Sequence, residues 1–245
     1  MKVAIDPGHG NNTAGKGVPA MKEHHFNSDV AAYAQELLEH NGFEVIMLQA
    51  PHNNIDIPLL QRTNTAIRHK VDMCFSIHAD ANANPLANGY WAFYWHNDAR
   101  SRKLAELWDK VAQETFTHTR RGIRSSVPGT WTDFHMTREP SINNRHKFPS
   151  ILIEHGFMTN KDDLSLLLTD KFRQQCAEVI TKAACLYAKK DYKELESMEK
   201  ASAWAIQAQE WVIKEKLSDG TRPKDNVTRE EMWVMLNRLY NLLSK

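Results

Sequence analysis

At 245 residues, with 42% hydrophobic and 25% charged side chains, the chain has ordinary globular composition and length for one full domain and a small second one. That excludes a disordered tail, a collagen-like fibre and a disulfide-stapled miniprotein. Thirty-one basic against 30 acidic side chains leave a formal charge of +1, too little to draw the molecule to nucleic acid, and no run approaches the ~18 apolar residues that span a bilayer. Neither nucleic-acid binding nor membrane insertion is expected.

Met1-Lys2 leads directly into an apolar run with no signal-peptide pattern, so synthesis as a cytosolic chain is expected. The pattern then alternates short apolar runs with longer stretches of helical period, which predicts an α/β fold: a mainly parallel twisted sheet with helices on both faces. Strands are expected at Lys2 to Asp6, Phe43 to Leu48, Met73 to His78, Gly89 to Trp95 and Ser150 to Glu154. Helices are expected at Glu23 to His40, which stops at Asn41-Gly42, and at Leu59 to Lys70, Asn97 to Phe116 and Lys171 to Lys189. Arg120 to Lys147 has no sustained period and reads as loop, with one short strand around Phe134 to Thr137. Cys74, Cys176 and Cys185 form no CxxC pair and lie in apolar periodic segments, where buried free thiols fit.

Four elements carry chemistry. Asp6-Pro7-Gly8-His9-Gly10 places His9 on the loop after the first strand, at the sheet edge where open α/β folds build their sites. Glu23 opens the first helix with Asn27 one turn on, although His24 and His25 offer rival metal nitrogens and at most one of the three faces a given spot. Phe75-Ser76-Ile77-His78 ends a strand in a histidine on the same edge as His9. Ile151-Leu152-Ile153-Glu154 ends an apolar strand in a carboxylate that packing does not explain; strand alternation allows only one of Glu154 and His155 to face the site. Two histidines and a carboxylate form a catalytic zinc set, and a further carboxylate beside the metal's water can act as general base and then general acid.

On Asp6-Pro7-Gly8-His9-Gly10, Glu23 with Asn27, Ser76-Ile77-His78-Ala79 and Ile153-Glu154-His155-Gly156-Phe157 with Asn160, residues 1–188 resemble the zinc-dependent N-acetylmuramoyl-L-alanine amidases of the type 3 cell-wall amidase family. The resemblance implies one Zn2+ held by His9, Glu23 and His78, with Glu154 as catalytic acid/base. The implied reaction cleaves the amide between N-acetylmuramic acid and L-alanine of the peptidoglycan stem peptide. Asn11 and Asp80 depart from the family pattern, where glycine and asparagine are usual. The other ten histidines read as surface, turn or loop residues, with His155 and His135 as the exceptions expected near the site edge.

Residues 189–200 read as a linker or an extension of the last helix, and 201–245 as a small all-α domain. Its helices are expected at Ser202 to Leu217 and Thr228 to Leu243, the second opened by a Thr228–Glu231 capping box. Through Ala203-Trp204-Ala205, Trp211, Ser218-Asp219-Gly220, Pro223 and Val227 to Glu231, this segment resembles one S-layer-homology-like repeat, which implies cell-wall attachment. Trp204, Trp211 and Trp233 offer flat faces for sugar rings, or else form the interhelical core or a dimer contact. A lone repeat points to a homo-oligomer through these helices or to docking on the first domain.

The combined expectation is a modular peptidoglycan amidase. Without an export signal it is expected to be a bacteriophage endolysin that reaches the wall after holin-type release. The alternatives are a zinc peptidase cutting within the stem peptide and a non-catalytic wall-binding protein.

Overall fold

The computed structural model describes residues 1–194, 206–218, 227 and 229–244. In chain order its elements are β1 (Lys2–Pro7), β2 (Gly17–Val18), β3 (Met21–Lys22), α1 (Glu23–His40), β4 (Glu44–Met47), α2 (Leu59–His69), β5 (Met73–Asp80), β6 (Tyr90–Trp95), α3 (Ala99–Thr115), β7 (Arg120–Ser126), α4 (His135–Ile142), β8 (Ser150–Phe157), α5 (Lys161–Leu167), α6 (Asp170–Tyr187), α7 (Ile206–Lys214) and α8 (Arg229–Leu243). They fall into two compact units, Met1–Lys193 and Glu194–Lys245.

The first unit is built on a six-stranded sheet of order β4-β1-β5-β8-β6-β7. Strands β4, β1, β5 and β8 run parallel, while β6 runs antiparallel to β8 and parallel to β7. An apolar run signals a strand but not its direction, so the reversal at β6 has no sequence signature.

Alternation along the strands separates two faces. Val3, Ile5, Met73, Phe75, Ile77, Ile151 and Ile153 join the main core with α1, α3 and α6, whose Phe26, Val30, Leu104, Trp108 and Ile180 are buried there. Ala4 and Cys74 face the other way, onto Ala66 and Ile67 of α2 and Met136 of α4. Asp6, Ser76, His78, Leu152 and Glu154 share this second face by the same parity, so the sheet itself delivers polar groups from three strands to one side. All three cysteines are free and buried, as their apolar surroundings predict.

The segment expected as loop contains two elements. Arg120–Ser126 is the edge strand β7, in which only Gly122 and Ser126 are buried; neither is apolar, so the strand carried no hydrophobic period. His135–Ile142 is a helix, where a short strand around Phe134 to Thr137 was expected. Its interior Pro140 cannot donate to the carbonyl of Met136, but that carbonyl accepts from Ser150 Oγ at 2.6 Å instead. The short helix α5 was also missed; Asn160 caps it, its side chain accepting from the Asp162 and Asp163 amides at 3.1 Å.

Helix α6 stops at Tyr187, so residues 188–194 do not extend it, and 195–200 lie outside the described residues. The first unit runs past residue 188 because the chain folds back on the end of α1. There the Lys193 amide donates to Asn41 Oδ1 at 2.7 Å, Asn41 Nδ2 donates to Lys193 O at 3.0 Å, and Lys190 Nζ donates to the Asn41 and Gly42 carbonyls.

In the second unit Arg238 Nη1 donates to the carbonyl of buried Leu217 at 3.2 Å. Trp211 and Trp233 are 45% and 61% exposed, so neither forms an interhelical core. Trp204 and the capping residue Thr228 lie outside the described residues.

Candidate active site

Strand β1 closes in Asp6-Pro7, and the turn that follows is set by one buried arginine. The Arg62 guanidinium of α2 has five N–H donors, and all five are used. Nε donates to Ile57 O at 2.7 Å, Nη1 to Asp6 Oδ1 at 2.7 Å and Pro7 O at 3.1 Å, and Nη2 to Gln49 Oε1 at 2.7 Å and to Asp56 Oδ1. Gln49 Nε2 in turn donates to the Pro7 and His9 carbonyls, and Ser76 Oγ donates to Asp6 Oδ2 at 2.6 Å. This lattice holds His9 in the left-handed region at φ 62°, a conformation a non-glycine residue keeps only when its surroundings fix it. Gly8 lets the turn close against β5: a Cβ there would fall on the His78 ring.

Glu23 is the first residue of α1, and of the three candidates at that helix start it is the one that enters the site. Its Oε1 accepts from His78 Nδ1 at 2.9 Å and from the Ala79 amide at 3.3 Å, and its Oε2 lies 3.3 Å from His9 Nε2. His24 is buried beside Ser28 and the Gly8 and His9 carbonyls, which corrects its reading as a surface residue, and His25 faces solvent. Asn27, one turn along α1, donates to Gly8 O at 2.9 Å and clamps the His9 turn from the other side.

The His9 and His78 rings stand nearly perpendicular, at 86°, with centroids 5.0 Å apart. Donor atoms of His9, Glu23 and His78 all lie within 4.8 Å of one another, the one such cluster among the described residues. Ligand atoms around a tetrahedral Zn2+ at ~2.0–2.1 Å would stand about 3.3 Å apart, which the His9–Glu23 contact of 3.3 Å meets and the His78–Glu23 contact of 2.9 Å falls slightly inside. Two imidazoles and a carboxylate, pre-gathered at a sheet edge, therefore fit a divalent ion. Burial alone would raise the Glu23 pKa, but hydrogen bonds from His78 and His9, and their charge, hold the carboxyl well below the usual range. Glu23 is thus held as the anion a cation needs.

Glu154 of β8 is the register partner of His78, on the same face and one strand away. Its Oε2 is shut from solvent and has no hydrogen-bond partner among the described residues. Burial, with negative charge from Asp80 and Glu23 adding to it and Lys16 opposing, pushes its pKa well above the usual carboxylate range. His155 faces the opposite side and is fully buried beside Phe26, Trp108 and Phe116. Its Nδ1 lies 3.2 Å from His78 O, and burial brings its pKa down to about 3. This corrects its reading as a residue at the site edge. His135 lies 3.2 Å from Thr63 Oγ1 and is likewise outside the cluster.

Sequence reasoning missed Arg62, Gln49 and Asp163. Asp163 Oδ2 accepts from the Gly89 amide at 2.7 Å and the Phe157 amide at 2.9 Å, fixing the turn after Glu154. Its only sequence signal was the neighbouring Asn160. Arg62 and Gln49 act through contacts between distant segments, which no local pattern reveals.

An α/β sheet that gathers two imidazoles and a carboxylate at one edge, with a buried, unpartnered carboxyl on the adjoining strand, has the donor set and the acid/base group of a hydrolase. Residues 3–185 match the family model described as N-acetylmuramoyl-L-alanine amidase. The chain belongs to that family. It is 29% identical over 181 residues to N-acetylmuramoyl-L-alanine amidase LytC of Bacillus subtilis (strain 168), a match covering 73% of this chain and 34% of LytC. To N-acetylmuramoyl-L-alanine amidase AmiA of Escherichia coli (strain K12) it is 27% identical over 225 residues, covering 76% of this chain and 75% of AmiA. Among solved structures, the catalytic domain of CwlV, an N-acetylmuramoyl-L-alanine amidase from Bacillus (Paenibacillus) polymyxa var. colistinus, matches with TM-score 0.67 and 25% identity. That match covers 78% of this chain and 99% of the CwlV domain. The N-acetylmuramoyl-L-alanine amidase of Clostridium difficile 630 matches with TM-score 0.66 and 26% identity, covering 77% and 97%.

Proposed function

We propose that this protein hydrolyses the amide between N-acetylmuramic acid and the L-alanine of the peptidoglycan stem peptide, with His9, Glu23 and His78 holding a Zn2+ ion and Glu154 as the acid/base. The observation that carries it is the buried, unpartnered Glu154 carboxyl one strand from the His9–Glu23–His78 cluster. Bound there, zinc supplies Lewis acidity for the amide carbonyl and a water acidified to a pKa of about 7. Glu154 takes the proton of the attacking water and hands it to the departing L-alanine nitrogen. Its raised pKa suits the second task, and positive charge at the neighbouring cluster lowers it toward the first. Asn27, Gln49 and Arg62 hold the His9 turn, and with it one of the three donors.

The test is digestion of purified Gram-positive walls by the zinc-loaded wild type and Glu154→Gln, with new amino termini identified by mass spectrometry. Release of peptides beginning at L-alanine, lost in Glu154→Gln while zinc stays bound, supports the reading. An amine exposed deeper in the stem would make the protein a peptidase, and wall binding without release would make it a wall-binding protein.

Attachment of the second unit to the wall is part of the same proposal, supported by the exposed Trp211 and Trp233. Co-sedimentation with walls should weaken in Trp211→Ala and Trp233→Ala. Exposed Met232, Leu236 and Tyr240 on α8 support self-association as a second reading; analytical ultracentrifugation of Trp233→Ala separates the two. Host lysis after holin-type release is tested by expression in a Gram-positive cytoplasm with and without a holin, lysis being expected only with it.

A further inference from the structure

The second face of the sheet continues beyond Glu154 into a shelf that the proposed chemistry does not use. Trp91 of β6 is the register partner of Glu154, Phe93 that of Leu152, and Arg124 of the edge strand β7 that of Phe93. All therefore lie on the Glu154 side of the sheet. Between the Tyr90–Arg120 and Trp91–Gly122 pairs the register shifts, which makes Arg121 the extra residue of a β-bulge. A bulge re-aims a side chain. Gly122, at φ 80°, supplies the left-handed backbone this bulge uses.

The Arg121 guanidinium lies over Trp91, 4.4 Å from the ring centroid, and 5.2 Å from that of Phe157. Arg124 lies 4.8 Å from the centroid of Trp131, whose ring packs 5.9 Å from Trp91 and 5.8 Å from Phe93.

Two features distinguish this shelf from ordinary surface. Trp131 is 60% exposed, yet it rides on a turn whose neighbour Thr132 is almost fully buried. Thr132 Oγ1 accepts from the Val127 amide and donates to Ser125 O, each at 3.2 Å, and Ser126 Oγ donates to Thr132 O. The fold thus spends a locked turn on presenting an indole to solvent. Second, Arg121 and Arg124 are both exposed, both seated on aromatic rings, and neither forms an ion pair with any described residue; Arg121 is steadied by donating from Nη1 to Asn88 O at 3.0 Å. The carboxylate whose charge Arg121 feels is Asp80, which accepts from Trp91 Nε1 at 3.1 Å and stays out of ion-pair reach of the guanidinium. Two cations seated on aromatic faces, neither held in a direct ion pair, form a ready receptor for carboxylates.

The distances say which carboxylates. Trp91 stands one strand, roughly 5 Å, from Glu154, and Arg124 two strands across and two residues back along β8, on the row of Leu152, roughly 12 Å away. An extended peptide advances about 3.3–3.6 Å per residue, so a chain leaving the Glu154 site across β6 and β7 brings its second residue over Trp91 and Arg121 and its third toward Arg124, within reach of that long side chain. Resting on the proposed amidase reading, we propose that the Trp91–Trp131 shelf with Arg121 and Arg124 is the binding site for the free carboxylates of an acidic stem peptide. Its selectivity is for carboxylate over carboxamide two to three residues past the cleaved bond.

The test uses the full zinc-loaded chain and two soluble muramoyl peptides that differ only in a free carboxylate or a carboxamide on the second stem residue. The wild type should cleave the carboxylate form with about tenfold higher kcat/KM. Arg124→Gln and Arg121→Gln should each lose several-fold more on the carboxylate than on the carboxamide form, chiefly through KM, and Arg124→Lys should recover part of the loss. Equal losses on both forms, or a wild type indifferent to amidation, would overturn the shelf assignment. A second readout is independent of turnover: titration of Glu154→Gln with L-alanyl-γ-D-glutamyl-L-lysine or its carboxamide, followed by tryptophan fluorescence. Carboxylate-selective quenching that disappears in Glu154→Gln/Arg124→Gln supports the shelf even if cleavage falls elsewhere in the stem. Cleavage before L-alanine with no carboxylate-selective quenching leaves the amidase reading standing and removes the shelf.

Discussion

Arg62 is the residue on which the His9 turn depends most, and its replacement gives a sharp prediction. The side chain is 1% exposed, as is that of Asp6, its ion-pair partner at 2.7 Å. Arg62→Ala leaves a buried carboxylate without its countercharge, and breaking such a pair by removing one member costs about 3–5 kcal/mol. At roughly 2–4 °C per kcal/mol for a domain of this size, the midpoint of thermal unfolding should fall by about 6–20 °C. Arg62→Lys keeps the charge but supplies three donors where five acceptors wait. At least two of the five bonds are lost; because Pro7 O keeps its bond from Gln49 Nε2 and Gln49 Oε1 its bond from the Ile57 amide, each lost bond costs about 0.5–1.5 kcal/mol rather than the penalty of an unbonded group. Urea unfolding followed by far-ultraviolet circular dichroism measures both variants, and isothermal titration with Zn2+ on folded Arg62→Lys reports the His9 turn. If Arg62→Lys keeps wild-type stability to within about 0.5 kcal/mol, the five-bond fork is not what holds this turn.

Other expectations concern the cluster and the core beside it. Zn2+ should raise the thermal midpoint of the wild type, EDTA should reverse the shift, and Glu23→Gln should abolish it, since binding to the folded state alone stabilises by mass action. Gly8→Ala should fold but lose zinc affinity and wall hydrolysis together, because its Cβ falls on the His78 ring; unchanged metal affinity would contradict the close approach. Burial holds the His155 pKa at about 3 against an ordinary value of 6.5. Between those values the unfolded chain binds a proton that the folded chain refuses, so His155 costs nothing above pH 6.5 and lowers stability as pH falls below it. The slope is at most about 1.4 kcal/mol per pH unit. Glu154, shifted upward, acts in the opposite sense over part of this range, so the comparison to make is urea unfolding of wild type and His155→Gln from pH 7 to 5, where the variant should show the shallower decline.

The legible parts of the sequence were those in which one strand faces one environment. The apolar runs of β1, β5 and β8 give way to Asp6, His78 and Glu154, so both the strands and the edge where His9, His78 and Glu154 emerge could be read directly. Glu23 was legible as a helix start, and the resemblance singled it out from His24 and His25; the fold adds that His24 turns beneath the His9 loop. Strand β7 was illegible because an edge strand buries little, and its two inward positions are glycine and serine. Helix α4 was hidden by Pro140, whose missing bond is replaced by a serine from another strand. The Asp6–Arg62–Gln49 lattice joins three segments that no short motif spans. The side of β8 on which Glu154 lies could be derived as an alternative to His155, and the register with His78 decides it.

The cluster also bears on how the chain acquires its native state. His9, Glu23 and His78 are supplied by β1, α1 and β5, and Glu154 by a strand that begins at residue 150. No local fragment holds the full set, so the cluster forms only once the long-range pairings of β1, β5 and β8 are in place. Such non-local pairings are the slow part of sheet assembly. A nascent or half-folded chain therefore offers no finished chelate, and metal uptake would mark completion of the fold rather than begin it. Once captured, the ion would tie those segments together and slow unfolding more than it speeds folding, lengthening the lifetime of the active molecule instead of hastening its birth.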